Sequence, residues 1–263
     1  MNNPSLEIML RALHLPTVLK FYQSIADSAT ANDWSYPQYL SALITQETED
    51  RSQRRLERLL KQSDLPDGKT LETLNLKLFP SKVRRLLPFL VEGTFVERAE
   101  NILVFGLPGR GKTHLASAIA RELITRHSYR VWSTKTFSLV QKLLIAKSEF
   151  CLDEVLRKLD KYDVVLIDDI GYVQQSREEM EVLFTFLSER YERKSLIITS
   201  NLVFSEWDKI FKNPMTTAAA IDRLVHHSII LELAGKSYRA HVAEQRSKEQ
   251  KWIDTSQKDE SKE

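Results

Sequence analysis

The chain has 263 residues, 42% of them hydrophobic, which is enough for one large domain with its own core and a second, smaller domain. The net charge of +2 excludes a uniformly basic protein, so any surface for nucleic acid must be local. The single cysteine, Cys151, excludes an internal disulfide and fits a packing residue in the reducing cytoplasm, and no apolar run reaches the ~20 residues of a membrane span.

Residues 1–75 are predicted to form a helical N-terminal domain. Within it, residues 34–62 have the pattern of one long helix, because Pro37 falls in the first turn and apolar residues recur at helical spacing. Basic residues recur along this helix every three or four positions and would line one face, which suits contacts with DNA phosphates. These residues are Arg51, Arg54, Arg55, Arg58 and Lys61. The alternative is a solvated face whose cations pair with Glu47, Asp50 and Glu57.

Residues 76–243 are predicted to form the larger domain, in which strands and helices alternate. Such alternation indicates an α/β fold with a parallel sheet covered by helices on both faces. The candidate strands are 101–106, 129–134, 163–168, 195–200 and 228–233. Residues 63–70 have the composition of a loop, and the polar residues 244–263 are predicted to be a disordered tail.

Residues 106–113, GLPGRGKT, fit G-x-x-x-x-G-K-[ST], the phosphate-binding loop of nucleoside-triphosphate proteins. An apolar strand precedes the motif and an amphipathic helix follows it, which argues against a simple glycine turn. Glycines let the backbone wrap around a phosphate, and the helix start adds positive potential. We expect Lys112 to neutralise the β- and γ-phosphates of ATP and the Thr113 hydroxyl to bind Mg²⁺. The predicted loop contacts are Gly106, Leu107, Pro108, Gly109, Arg110, Gly111, Lys112 and Thr113.

Two further strands end in polar residues suited to a metal–phosphate site. The run DVVLIDDIG at 163–171 delivers two carboxylates, and we assign Asp168 to Mg²⁺ and Asp169 to the attacking water. The alternative is a pair that caps a helix. The next strand ends at Asn201, which is predicted to hydrogen-bond the γ-phosphate or the water, unless it only forms a turn with Ser200.

Other basic residues are candidates for contacts beyond a single subunit. Arg223 precedes the last strand and could stabilise transition-state charge at a neighbouring subunit's nucleotide, although an Asp–Arg pair on a helix is more often a solvated salt bridge. Lys135, Lys142 and Lys147 follow the second strand and are candidates to face DNA in the pore of a ring or helix. Phosphate contacts carry no base information, so little sequence preference is expected.

Several motifs together resemble one family. GLPGRGKTHLA, VVLIDDIGY, IITSNLVFSEWDKIF, AAAIDRLVHHS and GKSYR are similar to the IstB-type ATP-binding proteins, AAA+ helpers of transposition related to DnaC-type helicase loaders and to replication initiators. The segment WSYPQYLSALITQETEDRSQRRLERLL resembles the N-terminal region of the same family. The resemblance covers nearly the whole chain except its first residues and the polar tail.

The resemblance implies roles for matching residues. Residues 106–113 correspond to Walker A, and Asp168 and Asp169 to Walker B. Asn201 falls at sensor 1, Arg223 at the arginine finger, and Arg239 at a sensor-2-like or DNA-facing position. The family also implies ATP-dependent assembly of many subunits, as a ring or filament, on duplex DNA, and a partner transposase of the IstA type.

Two positions depart from the family pattern. Helpers of this type often carry Asp-Glu in Walker B, whereas this chain has Asp168-Asp169, and the shorter carboxylate predicts slow hydrolysis that assembly, DNA or the partner stimulates. Arg110 replaces a residue that is usually small or aliphatic. Two alternatives to a transposition helper are a replicative helicase loader and a small-molecule kinase, which would not need Arg223 from a neighbour.

Overall fold

The computed structural model describes residues 4–171, 176–202 and 224–234. The chain divides into two compact units, Met1–Arg58 and Leu59–Glu263. The domain boundary predicted at residue 75 lies later in the chain, and as a boundary between independently folding domains it stays a prediction. Among the described residues, no helix combines the length and apolar character needed to cross a membrane.

The first unit is built from helices. α1 (Pro4–Ala12), α2 (Pro16–Ala31) and the first part of α3 (Tyr36–Gln62) pack around a small core. Its fully buried members are Leu10, Val18 and Leu43. The long helix predicted for residues 34–62 is confirmed, with its start at Tyr36 because the preceding Asp33 adopts a left-handed φ of 49°.

The second unit contains a five-stranded sheet. Its strands are β1 (Asn101–Phe105), β2 (Val131–Lys135), β3 (Val164–Ile170), β4 (Ser195–Ser200) and β5 (Ser228–Glu232). Its helices are α4 (Ser81–Val91), α5 (Thr94–Glu97), α6 (Lys112–His127), α7 (Thr136–Ser148), α8 (Leu152–Leu159) and α9 (Arg177–Arg190), and a 3₁₀ turn lies at Leu76–Leu78. Each of the five predicted strands is confirmed, and each of its ends lies within two residues of the predicted position.

The sheet order is β2-β3-β4-β1-β5, and all neighbouring strands run parallel. Both faces of the central strands are buried, as their continuous apolar sequences require. The α/β fold class is therefore confirmed. In this order the carboxyl ends of β1, β3 and β4 lie side by side, at the edge where open parallel sheets bind ligands.

The amino-terminal edge of the sheet is held by one buried arginine. Arg190 at the end of α9 is 2% exposed. Its guanidinium donates to the carbonyl oxygens of Leu159 at 3.2 Å, Tyr162 at 3.0 Å and Ser195 at 3.1 Å. Burial lowers its pKa to about 10, against the opposing effect of nearby acids. The contacts connect α8, α9 and the start of β4.

Candidate nucleotide site

The loop 106–113 joins β1 to α6 at the carboxyl edge of the sheet. Gly106 and Gly111 adopt φ values of 155° and 83°. A Cβ on Gly106 would lie 2.8 Å from the carbonyl oxygen of Leu233, and one on Gly111 would lie 3.0 Å from the ring of Phe79. Glycine is required at both positions for the backbone path and for the space.

The loop 106–113 presents hydrogen-bond donors that could bind an anion. Gly111 is the N-cap of α6 and has no side chain to offer to the first N–H groups of the helix. These groups and the positive end of the helix favour a phosphate. Nε and Nη1 of Arg110 are buried, and neither has a hydrogen-bond partner among the residues that the structure describes.

The side chains of Lys112 and Thr113 turn toward the neighbouring strands. Lys112 is 7% exposed, and its Nζ donates to the Leu107 carbonyl oxygen at 3.2 Å and to Oδ1 of Asn201 at 2.5 Å. The Thr113 hydroxyl donates to the Asp168 carboxylate, at 3.0 Å to Oδ1 and 3.1 Å to Oδ2. The structure thus brings together residues from the loop, β3 and the end of β4, as the sequence predicted.

The two acids lie where β3 becomes irregular. The pairing of β3 with β4 shifts between Ile167 and Ile170, and Asp169 has a left-handed φ of 67°. Such a φ is uncommon for a residue other than glycine and needs support from the surroundings. The irregularity turns successive side chains, Asp168 and Asp169, toward one site instead of toward opposite faces of a regular strand.

Asp169 is electrostatically distinct. Its partial burial, and secondarily the charge of Asp168, raise the pKa of its carboxyl group above the ordinary value for aspartate. The positive charges of Lys112 and Lys135 oppose this rise. A carboxylate with a raised pKa is a better proton acceptor, which suits the predicted role toward the attacking water.

Asn201 connects the lysine and the acid. Its Oδ1 accepts from Lys112, and its Nδ2 donates to Oδ1 of Asp169. One amide therefore touches both the group expected on the phosphates and the group expected on the water. The role predicted for Asn201, a hydrogen bond to the γ-phosphate or to the attacking water, stays a prediction.

Sequence reasoning missed Thr199. This β4 residue is 1% exposed, its hydroxyl donates to Oδ1 of Asp168 at 2.6 Å, and it accepts from the backbone N–H of Asp169 at 2.9 Å. The available signal was a threonine directly after the apolar run LII at 196–198, near the end of the strand that pairs with β3.

The site fits a magnesium ion. Thr113 Oγ1 and the Asp168 carboxylate are hard oxygen ligands within 3.1 Å of each other. Mg²⁺ is usually held by one or two such protein oxygens together with substrate phosphates and water. The donor set and the adjacent phosphate loop match that chemistry.

The lysines predicted to face DNA have different surroundings. Lys135 is exposed at the end of β2, where its backbone lies opposite that of Asp168 in the pairing of β2 with β3. Nζ of Lys142 lies 4.9 Å from the ring centroid of Trp132, and Lys147 forms a 3.1 Å ion pair with Glu181. Lys147 is therefore partly neutralised, and the contacts of the other two with DNA stay predictions.

In the first unit, two of the basic residues predicted to line one face of α3 bind a buried carboxylate of the same unit. Glu47 is 3% exposed and accepts from the backbone N–H groups of Thr17 at 2.9 Å and Val18 at 3.2 Å, at the start of α2. Arg51 and Arg54 pair with the same carboxylate at 3.2 Å and 3.6 Å. The alternative interpretation, a face paired with acids, therefore applies to these two arginines.

The remaining basic residues predicted on this face of α3, Arg55, Arg58 and Lys61, are exposed. Arg55 and Arg58 have no ion pair among the described residues, and they line a cleft of about 810 Å³ in the first unit. The fold adds Arg11 of α1 to this cleft, a residue that no helical periodicity within α3 could indicate. Lys61 is also exposed, farther along α3. DNA binding by these residues stays a prediction.

Two predicted residues cannot be placed. Arg223 and Arg239 lie outside the described residues, as does the predicted disordered tail, 244–263. Their assigned roles stay predictions.

Comparison with known proteins decides the family. The model of the IstB-like ATP-binding proteins matches residues 8–247. The chain belongs to this family. An insertion-sequence ATP-binding protein of Sinorhizobium fredii is 42% identical over 239 residues, which cover 90% of this chain and 80% of the relative. Another, from Geobacillus stearothermophilus, is 37% identical over 242 residues, or 92% and 95% of the two chains.

The fold has solved counterparts. The AMPPCP-bound structure of DnaA from Aquifex aeolicus matches 71% of this chain and 57% of its own, with a TM-score of 0.53 and 21% identity. At this identity the likeness concerns the fold, which is that of an AAA+ P-loop protein. The chain is therefore an ATP-binding protein of the IstB-like family, and the assignment of the nucleotide to the site formed by the loop 106–113, β3 and β4 stays a prediction.

Proposed function

We propose that this IstB-like protein is an ATPase that acts as a helper of DNA transposition, assembling on duplex DNA and recruiting or activating a transposase. The observation that carries the proposal is the arrangement in which Asn201 bonds both the loop lysine, Lys112, and the acid with a raised pKa, Asp169. This arrangement supports hydrolysis, because it holds a proton acceptor for water beside the lysine expected on the phosphates.

Each side chain has a defined task in the proposed reaction. Lys112 binds the β- and γ-phosphates, and Thr113 and Asp168 would hold Mg²⁺, which would supply charge neutralisation for the transferred phosphoryl group. Asp169 accepts a proton from the attacking water or orients it, and Asn201 aligns that water with the γ-phosphate. Because Asp169 is one methylene shorter than glutamate, we expect turnover to be slow until assembly, DNA or the partner stimulates it.

The DNA-related part of the proposal rests on family membership and local charge. Both relatives described above are named as ATP-binding proteins of insertion sequences, which supports a transposase of the IstA type as the partner. Arg55 and Arg58 in the first unit and Lys135 in the second are exposed cations that would meet phosphates. Arg223 would complete a neighbour's nucleotide site in a ring or filament, and the setting would be the cytoplasm.

A replicative helicase loader is the second candidate. The AAA+ fold is compatible with it, but the relatives' insertion-sequence names favour transposition. Pull-down from a host lysate discriminates the two, because the proposal requires capture of a transposase encoded with this protein and the alternative requires capture of the replicative helicase.

Electron microscopy of the purified protein with duplex DNA tests assembly. With a slowly hydrolysed ATP analogue we expect ordered oligomers on DNA, and with ADP we expect far fewer. A monomer under both conditions, together with no phosphate release from ATP in the presence of DNA, would contradict the proposed function.

A further inference from the structure

We infer that Thr199 is a positioning residue of the nucleotide site, whose hydroxyl orients the Asp168 carboxylate toward Mg²⁺ and fixes the backbone of Asp169. The inference rests on the proposed function, because it concerns the metal that accompanies ATP. Thr199 belongs to neither the phosphate loop nor the acidic pair, so the inference adds a third element, β4, to the metal site.

The first observation is that one hydroxyl serves both acids. Thr199 Oγ1 donates its hydrogen to Oδ1 of Asp168 at 2.6 Å, and its lone pair accepts from the N–H of Asp169 at 2.9 Å. Donor and acceptor capacity are used in opposite directions, so the hydroxyl has a fixed orientation. A bond to a charged carboxylate is stronger than one between neutral groups, so it holds the carboxylate rotamer.

The second observation is the backbone that this hydroxyl holds. Asp169 has a φ of 67°, and the ladder between β3 and β4 is interrupted between Ile167 and Ile170. In a regular ladder the N–H of residue 169 would have the strand backbone for support. Here the Thr199 side chain takes that N–H, which stabilises the left-handed turn that directs Asp169 into the site.

The third observation separates Thr199 from Thr113. Both hydroxyls donate to Asp168, but Thr113 is itself the expected metal ligand and sits on the loop that receives the phosphates. Thr199 is 1% exposed within β4 and is not part of that loop. It is therefore the hydroxyl whose bond to Asp168 persists when Thr113 takes a metal. Partners that orient a metal ligand from behind typically contribute roughly 10- to 100-fold to metal affinity.

The test compares two substitutions at this buried position. Thr199→Val keeps the shape and removes the hydroxyl, whereas Thr199→Ser keeps the hydroxyl and removes a methyl group. Thr125→Val makes the same chemical change on the exposed face of α6 and serves as the control. The affinity of the full-length protein for a fluorescent ATP analogue is measured in EDTA and across a Mg²⁺ titration, after melting curves establish that each variant is folded.

In EDTA we expect all variants to bind the analogue alike, because the loop and Lys112 are intact. In the titration, Thr199→Val should need roughly 10- to 100-fold more Mg²⁺ for half of its effect on affinity, while Thr199→Ser and Thr125→Val stay near the wild type. If Thr199→Val does not fold, Thr199→Cys replaces it, since a thiol is a much weaker donor.

Two results would overturn the inference. One is a Thr199→Val protein with a lower melting temperature but wild-type Mg²⁺ dependence, which is the behaviour of a residue that only packs. The other is a Thr199→Ser protein as impaired as Thr199→Val. A wild-type protein whose affinity for the analogue ignores Mg²⁺ would overturn both this inference and the proposed magnesium site, so the two failures can be told apart.

Discussion

At the scale of single residues, the nucleotide site depends on charges held close together at the end of the sheet. The Lys112 ammonium donates to the Leu107 carbonyl oxygen and to Asn201. These bonds keep a nearly buried cation solvated by the protein, and phosphate oxygens are stronger acceptors that would replace them. The same displacement would release the Asn201 carbonyl oxygen, which belongs to the amide that donates to Asp169.

Replacement of Lys112 tests the phosphate contact. Lys112→Ala should weaken ATP binding by roughly 10- to 100-fold, the usual loss for a hydrogen bond to a charged group, while the fold is retained. Titration with a fluorescent ATP analogue measures it. The matched control is Lys158→Ala, an exposed residue of α8. Unchanged affinity in Lys112→Ala would remove the basis for the phosphate-loop assignment.

Asp169 should separate binding from turnover. Asp169→Asn keeps the size of the side chain but removes the proton acceptor, so we expect ATP binding to persist and hydrolysis to fall by roughly 10²-fold or more. Complexes on DNA should then last longer. The measurements are phosphate release and analogue titration of the same preparation, and a variant that releases phosphate normally would exclude a catalytic role for Asp169.

The raised pKa of Asp169 predicts the acid limb of the pH profile. The base must be deprotonated, so activity is lost as pH falls through its pKa, and burial moves that loss to a higher pH than for an ordinary aspartate. Lys135 opposes the shift, so Lys135→Met should move the acid limb of DNA-independent ATPase activity further upward. Lys158→Met, remote from the site, should leave the limb in place. A downward shift in Lys135→Met would contradict this electrostatic account.

At the scale of elements, apolar runs were sufficient to predict the five strands, and helical spacing predicted α3. The loop glycines, Lys112 and both acids could also be found, because local sequence context defines them. Thr199 could not, because its role depends on the register of β4 against an irregular β3. The pairing of Arg51 and Arg54 with Glu47 was similarly uncertain, since the start of α2 that Glu47 binds lies thirty residues away in the chain.

Glu47 joins α2 to α3 in the first unit. Its carboxylate is buried, accepts from two backbone N–H groups and pairs with two arginines. Glu47→Ala would leave those N–H groups without their acceptor, and a buried donor left unsatisfied typically costs about 1–3 kcal/mol. We therefore expect this unit to unfold at a lower temperature and to become sensitive to protease, measured by circular dichroism and limited proteolysis. Glu49→Ala, exposed on the same helix, should have little effect, and equal stability of the two variants would exclude the structural role.

The contacts of Glu47 with Arg51 and Arg54 also affect how arginine substitutions in α3 should be interpreted in DNA-binding measurements. Arg51→Ala and Arg54→Ala would weaken binding through the Glu47 cluster even without touching DNA. Arg55 and Arg58 have no such internal pair among the described residues, so their substitution reports on phosphate contacts more directly. Loss of a phosphate contact should reduce the salt dependence of binding as well as the affinity.

At the scale of the whole molecule, the proposed mechanism divides each nucleotide site between two subunits. The described residues provide the phosphate loop, two acids and Asn201. Arg223, the predicted arginine finger, lies outside the described residues, and its role stays a prediction. A neighbouring subunit that supplies this arginine would make turnover depend on assembly, which fits a switch rather than a self-contained enzyme.

A mixing experiment tests the shared site. Arg223→Ala should retain ATP binding by the monomer but lose turnover by roughly 10³-fold or more, the usual contribution of an arginine finger. Asp169→Asn should also be inactive, for a different reason. When the two inactive proteins are mixed on DNA, some junctions pair the intact acids of the Arg223→Ala subunit with the intact arginine of the Asp169→Asn subunit. Those junctions are complete, so part of the ATPase activity should return.

The amount of ATPase activity that returns is informative because the random order of the two variants in the oligomer limits it. Random co-assembly produces one complete junction for every four, so recovery should approach but not exceed about a quarter of wild-type activity if each junction acts independently. A mixture of Lys112→Ala with Asp169→Asn is a sharper control, because both substitutions damage the same half of the site and no junction can be complete. If the first mixture recovers no more than this control while electron microscopy shows co-assembled oligomers, Arg223 acts within its own subunit. The dependence of hydrolysis on assembly would then need a different physical origin from a shared active site.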